Sequence, residues 1–177
     1  MTASSTDCLP ASAAPLEVRC GLGYDIHRFA AEDCPLWLGG VCVAGHGGLD
    51  GHSDADVLCH AIADALFGAA GLPDIGYWFP PHDDSCAGIA SILIVGKAVE
   101  LIRERGGSVV NVDASLIAEA PKIRPHVDAM KAVLAEALGI SRNRVGIKAT
   151  TNESLGALGR REGMAALAVA AVRMPVE

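Results

Sequence analysis

The 177 residues carry a formal net charge of −7, with 51% hydrophobic but only 4% aromatic side chains. That length fits one domain able to bury a core without staples, and the acidic balance, with no run of Lys or Arg, argues against nucleic-acid binding. No apolar stretch reaches membrane-spanning length without a glycine or a charge, so no membrane association is expected.

Residues 1–17, rich in Ser, Ala, Thr and Pro, have neither the features of a secretion signal nor the arginines of a transit peptide, and read as a disordered tail before a single domain over 18–177. Cys8, Cys20, Cys34, Cys42, Cys59 and Cys86 are scattered with no CxxC pair. Reduced thiols in a cytoplasmic protein are therefore expected. A core dominated by Ala, Gly and Val is of the kind that often completes its burial by oligomerising.

Val18 to His27 predicts a strand, and the apolar run Leu36 to Val43, split by Gly39 and Gly40, predicts two short strands around a bend. Gly45 to Gly51 reads as a flexible loop. Ser53 with Asp56 three residues later forms a capping box that starts a helix running to Gly68 or Gly71. The core face of that helix would hold Val57, Leu58, Ala61, Ile62, Ala65 and Leu66, with His52, Asp56, His60 and Asp64 on the opposite side. After a Pro-bearing loop, a second helix is expected over Ser91 to Arg105, stopped by Gly106 and Gly107. Val109 to Ala118 alternates as a strand, and two prolines keep 120–125 irregular. A helix over His126 to Leu138 and a strand over Val145 to Thr150 follow. Met164 to Arg173 fits helix or buried strand, and strand is chosen. The class is α+β, a mixed β-sheet with helices layered on one face.

Two spacings carry chemistry. Asp25 and His27 stand two apart in GYDIH, on one face of a strand; His52, Asp56 and His60 repeat every four residues in HSDADVLCH, the spacing of helical neighbours. If strand end and helix meet, Asp25, His27 and His60 converge as three ligands with a fourth position open, the arrangement of a catalytic zinc. Asp56 could fix the tautomer of His60 or serve as the helix cap, and both roles are compatible. His52 and Ser53, at the expected helix N-terminus, could meet an anion, although for Ser53 an ordinary cap is the simpler reading. Thr150, Thr151, Asn152 and Glu153 place hydroxyls and a carboxylate at a strand end, where Glu153 suits magnesium shared with substrate phosphates; in isolation such a segment is only a turn.

GYDIH, HSDADVLCHAIADALFGAAGLPDIG with FPPHD after it, AEAPKIRPH and KATTNESLGALGRREG together resemble the 2-C-methyl-D-erythritol 2,4-cyclodiphosphate synthase family of the non-mevalonate isoprenoid pathway, over about residues 18–173. The resemblance implies a homotrimer, three sheets packed together, with active sites between adjacent subunits. It implies cyclisation of a cytidine diphosphate substrate, 4-diphosphocytidyl-2-C-methyl-D-erythritol 2-phosphate, with release of CMP. By matching motif positions, Asp25, His27 and His60 correspond to ligands of zinc or another divalent transition metal such as manganese, and His52 and Thr151 to transition-state stabilisers. His52 and Ser53 would hold the 2-phosphate, and Asp74, Ile75 and Gly76 the erythritol. Phe79, Pro80, Pro81, His82 and Asp83 would form a loop over the substrate. Ala118, Glu119, Ala120, Pro121, Lys122, Ile123 and Arg124 match the cytosine pocket, Thr150 to Glu153 the diphosphate and magnesium segment, and Arg160 an arginine facing the trimer's central cavity. A zinc-dependent nucleotide phosphohydrolase and a non-catalytic nucleotide-binding regulator are the alternatives.

Overall fold

The computed structural model describes residues 15–80 and 82–176. In chain order the strands are β1 (Leu16–Arg28), β2 (Pro35–Leu38), β3 (Val41–Gly47), β4 (Ser108–Ile117), β5 (Val145–Thr150) and β6 (Gly163–Pro175). The helices are α1 (Val57–Ala69), α2 (Ile75–Trp78), α3 (Ser91–Glu104), α4 (Val127–Leu138) and α5 (Gly156–Gly159). A four-stranded sheet runs β1-β6-β4-β5, antiparallel except for the β4–β5 pair, whose crossover is α4; β2 and β3 form a separate hairpin. The class is the expected α+β. The chain after Met164 forms a strand, because its alternate residues Met164, Ala166, Ala168, Ala170 and Val172 fill the core while Leu167 and Val169 point outward.

One face of the sheet is covered by α1, α3 and α4, and there the core lies. On the other face Leu22, Tyr24, Ile26, Leu167 and Val169 are 41–68% exposed. The register aligns Leu22 with Val169 and Tyr24 with Leu167, so these side chains make one continuous apolar surface.

Helix α1 departs from the expected two-sided pattern. It is buried almost all round, with His60 at 9% and Asp56 at 0% exposure. Gly21 and Gly23 explain this on the strand side: a Cβ at either would collide with the backbone carbonyl of Ala65 or Ala61, so only glycine lets the helix lie this close. Helix α3 packs against α1 as well. The helix start is also corrected: Asp56, not Ser53, is the N-cap, and residues 52–56 run as a bent, non-helical segment. The Asp56 carboxylate accepts from the N–H groups of Leu58 (3.1 Å) and Cys59 (3.0 Å), and from those of Gly39 (2.9 Å) and Gly40 (2.7 Å) in the β2–β3 turn. A side chain that satisfies two backbone turns at once outcompetes a local capping box.

Other differences are smaller. β1 begins at Leu16, because Leu16 and Glu17 pair with Pro175 and Met174, two residues inside the expected tail; residues 1–14 lie outside the described residues. The expected loop at 45–51 is largely ordered, since β3 continues to Gly47 and Leu49 bridges Phe29. The four-residue helices α2 and α5 are too short for periodicity to reveal. Cys20, Cys34, Cys42, Cys59 and Cys86 are free thiols, and no helix is long and apolar enough to cross a membrane among the described residues.

Candidate active site

The end of β1 and the first turn of α1 bring Asp25, His27 and His60 together. Nε2 of His27 and Nδ1 of His60 each lie 3.0 Å from Oδ2 of Asp25, and the two nitrogens are 3.2 Å apart. A tetrahedral ion with bonds of about 2.0 Å needs ligand atoms about 3.3 Å apart. The triangle therefore fits one face of a tetrahedron around a divalent cation, and all three residues line one cleft. Nδ1–H of His27 donates to the backbone carbonyl of Asp50 at 2.6 Å, so neutral His27 offers its Nε2 lone pair to the triangle. The partner Asp50 had no signal in the sequence, since only its backbone takes part.

Burial alone would push the Asp25 carboxyl up, but while protons rather than a metal occupy the triangle, hydrogen bonds from His27 and His60 and their charge hold it well below the usual carboxylate range. Donating that bond to the Asp25 carboxylate raises the pKa of His27 against the opposing effect of burial. One turn further along α1, Asp64 accepts from the N–H of Ile75 at 2.8 Å and ties α2 to α1; burial pushes its carboxyl up.

The triad lies in a cleft of about 290 Å³. His52 and Ser53 line it from the bent segment before α1, Ile75 and Gly76 from α2, and Phe79, Pro80 and Asp83 from the loop beyond. Because His52 and Ser53 precede the helix by several residues, the expected anion site on the α1 N-terminus is not formed there; Asp56 takes those amides. A second cleft, of about 530 Å³, is framed by Ala118, Pro121, Lys122, Ile123 and Arg124 on one side and Thr150 and Thr151 on the other. The two clefts share no residue, so His52 and Thr151 stand in different clefts of one chain.

The YgbB family model matches residues 18–173, which include both clefts. The chain belongs to the YgbB family. The 2-C-methyl-D-erythritol 2,4-cyclodiphosphate synthase of Akkermansia muciniphila is 72% identical over 155 residues, covering 88% of this chain and 92% of that protein. Among solved structures, the bifunctional IspDF from Campylobacter jejuni aligns with a TM-score of 0.86 at 39% identity, over 90% of this chain and 43% of that longer one. IspF from Plasmodium falciparum, in a CDP complex, aligns with a TM-score of 0.76 at 31% identity over 90% and 97% of the two chains.

In this YgbB-family chain the remaining expected residues support the clefts or stand apart from them. Asp74 caps α2, accepting from the N–H of Tyr77 at 3.2 Å, and His82 is exposed; Pro81 lies outside the described residues. Glu119 accepts from the N–H groups of Asn152 (3.0 Å) and Ser154 (3.1 Å), fastening the 150–154 segment to the second cleft, and Ala120 precedes Pro121 through a cis peptide bond. Oγ1 of Thr151 donates to Oε1 of Glu153 at 2.9 Å, and Asn152 donates to the carbonyl of Leu155 at 2.7 Å. Arg160 lines neither cleft; it is exposed and pairs with Glu162 at 2.6 Å. Cys86, Ala87, Ile89 and Ile94 complete the triad cleft without having been singled out. They are apolar or weakly polar, and such residues look the same in sequence whether they line a cleft or a core.

Proposed function

We propose that this chain is a 2-C-methyl-D-erythritol 2,4-cyclodiphosphate synthase, a phosphorus–oxygen lyase of isoprenoid biosynthesis in the cytoplasm. It would convert 4-diphosphocytidyl-2-C-methyl-D-erythritol 2-phosphate to the 2,4-cyclodiphosphate and CMP. The observation that carries this reading is the Asp25–His27–His60 triangle, with edges of 3.0, 3.0 and 3.2 Å, opening into a cleft that also holds His52 and Ser53. Membership of the family supports it.

In the reaction a 2-phosphate oxygen attacks the β-phosphorus, the ring P–O bond forms, and the bond to the CMP oxygen breaks. The nucleophile and leaving group both belong to the substrate, so catalysis reduces to positioning and charge neutralisation. Asp25, His27 and His60 would hold zinc, or manganese in its place, and Glu153 would hold magnesium; these ions would supply electrophilic stabilisation of the phosphates. His52 and Ser53 bind the 2-phosphate and Ile75 and Gly76 the erythritol, while Phe79, Pro80 and Asp83 screen the cleft from water. Ala118, Pro121 and Ile123 frame the cytosine, and Thr151 orients the diphosphate.

Two clefts that share no residue in one chain favour an active site completed by a neighbouring copy. The apolar outer face formed by Leu22, Tyr24, Ile26, Leu167 and Val169 supports the same reading. Such a patch is covered by association, and three copies placing these faces together make the homotrimer.

Phosphorus NMR of the purified protein with the cytidyl diphosphate substrate, zinc and magnesium tests the activity. A cyclic diphosphate with CMP is expected. Orthophosphate or an open-chain product would instead identify a phosphohydrolase, and binding without turnover a regulator.

A further inference from the structure

Ser91 opens α3 and is completely buried, one of three buried polar residues among those described, with Asp56 and His60. It lines neither cleft. Its hydroxyl oxygen nevertheless lies 2.9 Å from Nε2 of His60, on the far side of the ring from Asp25 and His27. The same hydroxyl donates to Oδ1 of Asp54, and the Ser91 backbone N–H donates to Oδ2 of Asp54 at 3.1 Å.

The direction of these bonds follows from chemistry. An ionised carboxylate only accepts, so the Ser91 hydroxyl proton points at Asp54. The Ser91 lone pairs are then left for the imidazole, and Nε2 must carry a proton to use them. Nδ1, the nitrogen in the triangle, is thereby left bare. Ser53 also approaches Nε2, at 3.0 Å, but its Oγ accepts from the N–H of Ala55 at 3.0 Å, and its other partner is Ser91 Oγ at 3.2 Å. It lines the cleft, and among the described residues no carboxylate accepts from it.

We propose that Ser91 and Asp54 are positioning residues for the metal centre. A relay from His60 Nε2–H to Ser91 Oγ–H to Asp54 holds the His60 ring with Nδ1 unprotonated and aimed between Asp25 and His27. This arrangement leaves the Ser53 hydroxyl to meet a substrate phosphate. The inference rests on the reading of Asp25, His27 and His60 as metal ligands. It also links that centre to the cleft wall, because the N–H of Asp54 donates to the carbonyl of Ile89 at 3.1 Å and Ile89 lines the cleft. Groups that orient a ligand imidazole in this way typically change metal affinity by about 10–100-fold when removed.

The test is zinc affinity by competition with a chromophoric chelator, in the full chain and its Ser91→Ala, Ser53→Ala and His60→Ala variants. Ser91→Ala keeps the backbone N–H that Asp54 caps, so it removes the relay and spares the α3 terminus. Affinity is expected to fall by about 10–100-fold in Ser91→Ala and by less in Ser53→Ala. Wild-type affinity in Ser91→Ala, or an equal loss in Ser53→Ala, would overturn the relay while the metal-site reading stands. Undiminished zinc binding in His60→Ala would remove both. Proton NMR of the zinc-loaded wild type gives a check that needs no variant: the Nε2–H of His60 should exchange slowly with water, and a signal lost to fast exchange overturns the proposal.

Discussion

Nε2 of His27 and Nδ1 of His60 face each other across 3.2 Å although 33 residues separate them in the chain. Both are held 3.0 Å from one oxygen of Asp25. Two bare imidazole nitrogens and an anionic oxygen at this spacing repel one another unless a proton or a cation sits among them. The triangle is thus a site that demands a positive charge.

Replacing His60 by alanine should abolish zinc binding and lower cyclase activity by more than about 100-fold, since a ligand contributes more than the groups that orient it. Circular dichroism should report a folded chain. Metal content by atomic absorption provides the check, and an unchanged value would remove His60 from the site.

Zinc affinity should weaken as pH falls. The bond to Asp25 raises the His27 pKa above its ordinary 6.5 although burial opposes it, and a metal must displace that proton. The loss should approach about tenfold per pH unit for each proton displaced. Metal-free stability runs the other way for His27: its contribution is complete below 6.5 and is lost as pH rises through the raised folded value. Asp25, lowered by its histidine partners, contributes stability above 3.8 that is lost only as pH falls toward its depressed folded value. Chelator titrations and urea unfolding across about pH 6–8 would show the zinc and His27 slopes, while the Asp25 contribution stays constant in that window.

Asp56→Ala should destabilise the chain by at least about 3 kcal/mol. Four backbone N–H groups, two in α1 and two in the β2–β3 turn, would lose their acceptor in a fully buried place. Urea denaturation measures this, and a loss below about 1 kcal/mol would show that water replaces the carboxylate.

Glu153→Gln should raise the magnesium concentration needed for half-maximal activity on the order of tenfold, because the oxygen ligand proposed for magnesium loses its charge. Thr151 keeps the side chain in place through its 2.9 Å bond, so zinc affinity should not change. A magnesium titration at saturating zinc decides it.

Gly23→Ala should cost about 3 kcal/mol, at the upper end for overpacking, because the added Cβ meets the backbone of α1 at Ala61 and Ala65. The movement would also separate β1 from α1, the two elements that carry the triad. Zinc affinity should therefore fall together with the unfolding free energy, and a variant that loses only stability would argue that the triad adapts.

Much of the site was legible because its signals are local. Asp25 and His27 share a strand face through the two-residue period, and the two glycines that break 36–43 mark the turn between β2 and β3. The enclosure of α1 was not legible: it depends on Gly21 and Gly23 in a strand distant along the chain, and the side opposite the expected core face is also filled by neighbouring structure. The helix start was misplaced for a related reason, since Ser53 and Asp56 satisfy the local capping pattern while Asp56 is drawn to Gly39 and Gly40.

The sequence by itself determined the order of strands and long helices, the α+β class and the ligand types of the triad. Periodicity, glycine and proline positions and side-chain chemistry act over a few residues and survive in one dimension. Only the tertiary structure decided that the two clefts are separate in one chain, that Asp56 joins a helix to a hairpin, and that Ser91 with Asp54 stands behind His60. Those relationships join groups 16 to 37 residues apart in the chain. Hydrogen-bond direction and burial, which set their chemistry, exist only once the chain has packed.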